Sequence, residues 1–229
     1  MFINGTLNNA EIWYNFGKNE MEEFESLDRL FFRKLLNVPI TTPHEAFYLE
    51  LGILPINTII KARRLNYFYD LLKKDKKGMV YSFFITQWYK PCKGDWTEQV
   101  KEDLKDFEIT PSLEYVGGKS KHYFKNLVKQ RAKHFTLENL LAKKAKHSKM
   151  NNLNYTDLKM QNYFLKGDLN NSRKKTIFKL RTRMENFGEN FRCGKAHVIC
   201  PLCGLHRDSQ DLCLQCPKIR QELKSNGNV

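Results

Sequence analysis

No stretch of this chain reaches the roughly 20 consecutive apolar residues that a bilayer-spanning helix needs. Nowhere do two aspartates stand side by side. A metal-dependent polymerase or nuclease holds its ions on clustered carboxylates, so the chain by itself is expected to have no such catalytic centre. A glycine-rich phosphate loop followed by lysine is missing, and so is His-Glu-x-x-His. Nothing therefore points to a small-molecule substrate, and neither a membrane partner nor an enzymatic activity is expected. The opening MFINGTLNNAEIWYNFG has no basic region leading into an apolar run, so no secretory signal is expected there. An intracellular, reducing setting follows, in which paired cysteines read as metal ligands before disulfides.

Acidic residues are scarce in one segment only. Residues 117–183 carry 18 Lys and Arg against 3 Asp and Glu, while residues 1–60 carry 4 against 8. Residues 61–116 carry 11 against 9, and 184–229 carry 6 against 5, so one segment accounts for the whole net charge of +14. A polyanion, RNA or DNA, is the natural partner of such a segment. The candidate phosphate contacts are Lys121, Lys125, Lys129, Arg131, Lys143, Lys144, Lys146, Arg173, Lys174, Lys175, Lys179, Arg181 and Arg183. Tyr123, Phe124, Tyr163 and Phe178 lie among them, with packing in a core expected ahead of base stacking.

Strand signals are poor and helix signals good. Phe24, Leu27, Leu30, Phe31 and Leu35 recur at three-and-four spacing between Lys18 and Leu36, with acids at the start and bases at the end, as the helix dipole favours. Thr42-Pro43-His44-Glu45 reads as a capping box opening a helix that stops at Gly52. Pro55 opens the next, with Ile56, Ile59, Ile60, Tyr67, Phe68 and Leu71 on its apolar stripe. Further helices are expected over 79–89, from a second capping box at Asp95 to Glu98, and over 119–134, 136–149, 155–165 and 172–187. Residues 110–118, ending in Gly-Gly, read as a linker. Glu50 is the one acid in an apolar setting, and a neighbouring Arg63 or Arg64 is its expected partner. The fold class is mainly α: a helical bundle, then basic helices, then a small cysteine module.

That module is CPLCGLHRDSQDLCLQCP. Cys200, Cys203, Cys213 and Cys216 form two Cys-x-x-Cys pairs nine residues apart, a spacing suited to a tetrahedral thiolate site for structural zinc. Four thiolates leave no open position for catalysis. His206, Cys193 and His197 are the substitute ligands, and Cys92 stands alone.

Three stretches in this order resemble a known family. TTPHEAFYLELGILPINTIIKARRLNYFYDLL is similar to the region just after the polymerase core in reverse transcriptases of non-LTR retrotransposons. KGDWTEQVKEDLKDFEI resembles the linker that follows, and CPLCGLHRDSQDLCLQCP the zinc knuckle that closes the region. The resemblance implies a thumb-like helical region, a linker and a knuckle; together with the reading of the residues, the expected divisions are a thumb-like helical region over 1–109, a linker over 110–118, a basic nucleic-acid-binding region over 119–190, and a knuckle and tail over 191–229. It also implies that the polymerase carboxylates lie upstream, that template RNA and target DNA are the ligands, and that the nucleus is the working compartment. Where the family's knuckle carries its histidine, this chain has Leu212, with Cys213 next to it. The competing expectation is a zinc-stapled adaptor whose basic face binds an acidic protein.

Overall fold

A computed structural model describes residues 7–13, 18–151, 153–185, 187, 199–213 and 215–225. Among these residues the protein is mainly helical and has no strand. The helices are α1 (Lys18–Leu36), α2 (His44–Leu51), α3 (Ile56–Leu72), α4 (Met79–Tyr89), α5 (Trp96–Asp106), α6 (Leu113–Gly117), α7 (Lys121–Lys144), α8 (Asn162–Leu165), α9 (Asn171–Arg181), α10 (Gln210–Cys213) and α11 (Pro217–Ser225). No helix among the described residues is long and apolar enough to cross a membrane.

Helix α3 is the hub. It packs against α1, α4, α5, α6, α7 and the short 3-10 turn at Ala10–Ile12. One core gathers Leu65 and Phe68 of α3, Trp88 of α4, Leu104 of α5, Val116 of α6, and Phe124 and Val128 of α7. A second gathers Phe32, Phe47, Leu49, Leu140, Met150, Leu158 and Phe178. Helix α7 is about 36 Å long at 1.5 Å per residue, long enough to contribute to both cores. It buries Phe124, Val128, Ala132, Thr136, Leu140 and Lys144, one residue every fourth position.

The sequence expectations hold in outline and fail in instructive places. Helices over 119–134 and 136–149 are one: no Gly or Pro interrupts α7, and buried Thr136 places its Oγ1 3.3 Å from Thr58 Oγ1. The expected helix over 155–165 is an extended strap with one helical turn at Asn162–Leu165, because Tyr155 and Leu158 turn inward to the second core. The helix expected over 172–187 ends at Arg181, with Arg183 left-handed at φ 55°. Residues 110–118 are tied down. Ser112 caps α6, Val116 is fully buried, and Tyr69 Oη donates to the Lys119 carbonyl at 2.7 Å. The same core therefore runs through both sides of the expected linker.

The capping residues also shift. Pro43, not Thr42, precedes α2, and Thr42 Oγ1 turns back to the Pro39 carbonyl. Asp95 does cap α5 in position, but its carboxylate accepts from Cys92 N, and Glu98 accepts from Gly94 N. Gly52 ends α2 as expected, at φ +64°. A Cβ there would fall 2.1 Å from the backbone of Lys159 and Met160, so both conformation and close approach require glycine.

Helix α1 reverses its expected face. Asp28, Phe32 and Leu36 are buried, with Asp28 accepting from Tyr48 Oη at 2.8 Å. Leu27, Leu30 and Leu35 are about half exposed. The stripe that reads as core in the sequence points largely outward, and α1 carries two apolar faces.

Candidate metal centre and basic surface

The cysteine module is built from two local devices. The first is a tight knuckle: Gly204 at φ +65° donates to the Cys200 carbonyl, Cys200 N donates to the His206 carbonyl at 2.7 Å, and Ile199 bridges Arg207. The turn aims the backbone N–H groups of Leu205 and His206 at the Cys203 sulfur and holds its pKa down to about 7. The second device is a helix N-terminus. Cys216 stands directly before α11, where the N–H groups of Ile219 and Lys218 pull its pKa down. Burial and the neighbouring sulfurs outweigh them, so the Cys216 thiol stands above its ordinary value.

These devices bring Cys200, Cys203 and Cys216 together, with all three sulfurs within 4.8 Å of one another. The Cys200 and Cys216 sulfurs are 3.9 Å apart. A tetrahedron with metal–sulfur bonds of about 2.3 Å has edges of about 3.8 Å, so the pair already has the spacing of two zinc ligands. A disulfide would need about 2.05 Å. Three thiolates so close repel one another, and a cation is what lets them ionise together. The donor set thus fits a soft divalent ion.

Cys213 does not join the three. Its thiol donates to the Gln210 carbonyl at 3.0 Å, within the short helix α10. The four-cysteine expectation is corrected to a cluster of three. Cys213 and His206 both line the same cleft of about 170 Å³ beside Cys200 and Cys216, so each borders the fourth position. Cys193 and His197 lie outside the described residues. Cys92 is exposed and apart.

The basic candidates divide into inward and outward groups. Lys144 is buried, and its Nζ donates to the Leu153 carbonyl above the Tyr155 ring. Arg181 donates through Nε to both Glu50 oxygens at 3.0 Å. Lys174 donates to the Phe164 carbonyl, Arg183 to Asp211 and Arg131 to Glu108. These five are structural, and Lys144 and Arg181 in particular are corrected from phosphate contacts to fold contacts. Lys121 is exposed and paired with Asp70 at 2.7 Å. Lys125, Lys129, Lys143, Lys146 and Arg173 are exposed, and Lys175 and Lys179 half-buried. Lys121, Lys125 and Lys129 form a row at one-turn intervals along α7. Phe124 and Phe178 are fully buried, and Tyr163 hydrogen-bonds Glu50.

Two features beside this row were not among the phosphate contacts expected from the sequence. Lys119 sits over the rings of Tyr115 and Tyr123, at 4.7 and 5.2 Å. The run Lys73-Lys74-Asp75-Lys76-Lys77, in a segment of near-balanced charge, folds back to the start of α7, with Lys73 Nζ donating to the Gly117 carbonyl at 2.7 Å. There Lys73, Lys74, Lys76, Tyr81 and Tyr89 line an open groove of about 540 Å³. The run of like charge was the available signal, and counting charge by segment averaged it away.

The expected partner of Glu50 is also corrected. Arg64 pairs with buried Asp103 at 2.8 Å, and burial, offset by Arg64 and Lys61, lifts the Asp103 pKa to about 6. Arg63 donates to the Leu7 carbonyl. Glu50, wholly buried, instead accepts from Tyr155 Oη, Tyr163 Oη and Arg181. Burial and then the Glu50 charge push both tyrosines above their ordinary pKa. All four side chains are spent on one another, which describes a structural knot. Comparison of the chain with protein-family models, with curated proteins and with solved structures returned no match.

Proposed function

We propose that this chain is a nucleic-acid-binding piece of a non-LTR retrotransposon reverse transcriptase, non-catalytic by itself and acting in the nucleus. The observation that carries the reading is the exposed row Lys121, Lys125 and Lys129 on a rigid 24-residue helix, with the Lys73–Lys77 run at its start. A rigid row of cations one helical turn apart tracks a phosphate backbone without reading bases. Tyr89, Tyr115 and Tyr123 beside it are exposed and offer ring faces to unstacked bases. Cys200, Cys203 and Cys216, with Cys213 or His206 in the fourth place, would hold zinc, which would fix the fold of the tail.

The test is a salt titration of binding to single-stranded RNA and to duplex DNA, with a polyacidic protein as a third ligand. Changing Lys125 and Lys129 together to Gln should flatten the log-log salt slope by nearly two units on duplex, at about 0.9 per phosphate contact. The loss should be alike on unrelated sequences. Changing exposed Lys93 and Lys105 to Gln removes the same charge elsewhere and should do much less. Equal losses from both pairs would reject the α7 row as the binding surface. Preference for the polyacidic protein would move the reading to the adaptor.

A further inference from the structure

The outward face of α1 is apolar in the middle and charged at its ends. Leu27, Leu30 and Leu35 are 50, 49 and 47 % exposed. At 100° per residue, Glu20, Glu23 and Lys34 fall on the same face, and all three are exposed. The acids stand one to two turns before the leucines, and the lysine stands among the last of them. Other cations of this helix are turned away: Arg29 pairs with Glu25, and Arg33 donates to the Ile40 carbonyl and contacts His44.

Such a face is self-complementary in an antiparallel arrangement. Take a two-fold axis midway between Leu27 and Leu30, with a second α1 running antiparallel. Leu27 then falls opposite Leu30 of the second copy, and Leu30 opposite its Leu27. Glu23 falls opposite Lys34, and Lys34 opposite Glu23, because each pair is centred on the same point. A parallel pairing would set Glu23 against Glu23 and Lys34 against Lys34. The register that sets Leu27 against Leu30 therefore also neutralises the flanking charges.

We propose that α1 is the interface of a two-fold homodimer, with antiparallel helices meeting at Leu27 and Leu30 and flanked by two Glu23–Lys34 cross-pairs. A single helix pair lies at the small end of interface sizes, so the dimer is weak and concentration-dependent. It asks nothing of the basic surface, and stands or falls independently of nucleic-acid binding.

The experiment is sedimentation velocity over a concentration series at low salt, on metal-loaded full chain freed of nucleic acid. Wild type should pass from monomer to dimer as concentration rises. Leu27→Asp with Leu30→Asp should remain monomeric with an unchanged far-ultraviolet spectrum, because both side chains are already half exposed. Glu23→Lys alone and Lys34→Glu alone each turn two attractions into two repulsions, and each should weaken the dimer roughly tenfold. The double swap Glu23→Lys/Lys34→Glu restores opposite pairs and should restore the dimer. A wild type that stays monomeric throughout overturns the proposal. So does a dimer that survives the aspartate pair, or a double swap that fails to recover.

Discussion

Two polar knots hold this chain, and they are finished differently. Around Glu50 one buried carboxylate meets two tyrosine hydroxyls and a guanidinium, and each of those groups comes from the chain itself. The strap and α9 are thereby fastened to α2, some hundred residues earlier, with Gln161 N adding a bond to the Glu50 carbonyl. Around Cys200 three thiols converge within 4.8 Å of one another. The first knot is complete on folding, whereas the second is a donor set that could take up an ion. A carboxylate finds its counter-charge among ordinary side chains, but a thiolate cluster needs a softer and more concentrated charge than Arg or Lys provides.

The largest expected effect breaks the first knot. Glu50→Ala leaves Arg181 facing a wholly buried pocket and strips both tyrosines of their acceptor. Removing one partner of a buried pair costs about 3–5 kcal/mol. Denaturant unfolding followed by circular dichroism should show a loss of that size across the whole helical signal. Tyr163→Phe is a milder probe, because it removes one hydrogen bond to a charged acceptor and should cost about 1.5–3 kcal/mol. If Glu50→Ala left the midpoint where it was, the knot would be incidental to the fold.

These two knots were unequally legible in the sequence. The cysteine pairs announce themselves, since spacing alone brings Cys200 and Cys203 to one turn. Glu50 also stands out, as an acid among Tyr48, Leu49 and Leu51, but its partners do not. They come from a strap whose extended path depends on Tyr155 and Leu158 turning inward, which helical periodicity cannot report. Lys144 and Arg181 were misassigned for the same reason: charge is visible in a sequence, and direction is not. Helix α1 adds the converse case. Its leucines have helical spacing, yet Asp28, Phe32 and Leu36 face the core, because Tyr48 offers Asp28 a hydrogen bond there.

A third prediction uses pH on α2, the helix that also carries Glu50. His44, in the first turn of α2, is held neutral: burial lowers its pKa to about 4, and Arg29 adds to the effect. Its Nε2 lies 3.2 Å from Arg33 Nη2, a contact that suits an unprotonated acceptor. In the unfolded chain histidine titrates near 6.5. Between pH 6.5 and 4 the unfolded state therefore binds the extra proton, and stability contributed by neutral His44 is lost as pH falls through that window. With His44 half-buried, the discounted effect is about 1–2 kcal/mol. Subtracting the pH profile of His44→Gln from that of wild type isolates it. Identical profiles would show that the histidine is not held neutral.

The smallest effect on the helices should come from the most drastic change at the metal. Cys216→Ser removes a ligand that is 1 % exposed and the cap of α11, so bound zinc should fall from about one per chain to none. The module is joined to the described helices by bonds that include Arg183 to Asp211 at 2.6 Å and Gln210 Nε2 to the Leu180 carbonyl at 2.8 Å. Neither is buried deeply, and exposed ion pairs contribute about 0–1 kcal/mol. The unfolding midpoint of the bundle should therefore move by less than about 1 kcal/mol, while amide exchange over 199–225 loses its protection. Comparing Cys213→Ser with His206→Asn under the same two readouts names the fourth ligand, since only the true one should release the ion. If chelation lowered the stability of the whole bundle as far as Glu50→Ala does, the two knots would be one cooperative unit, and the contrast between a self-completed and an ion-completed fastening would be wrong.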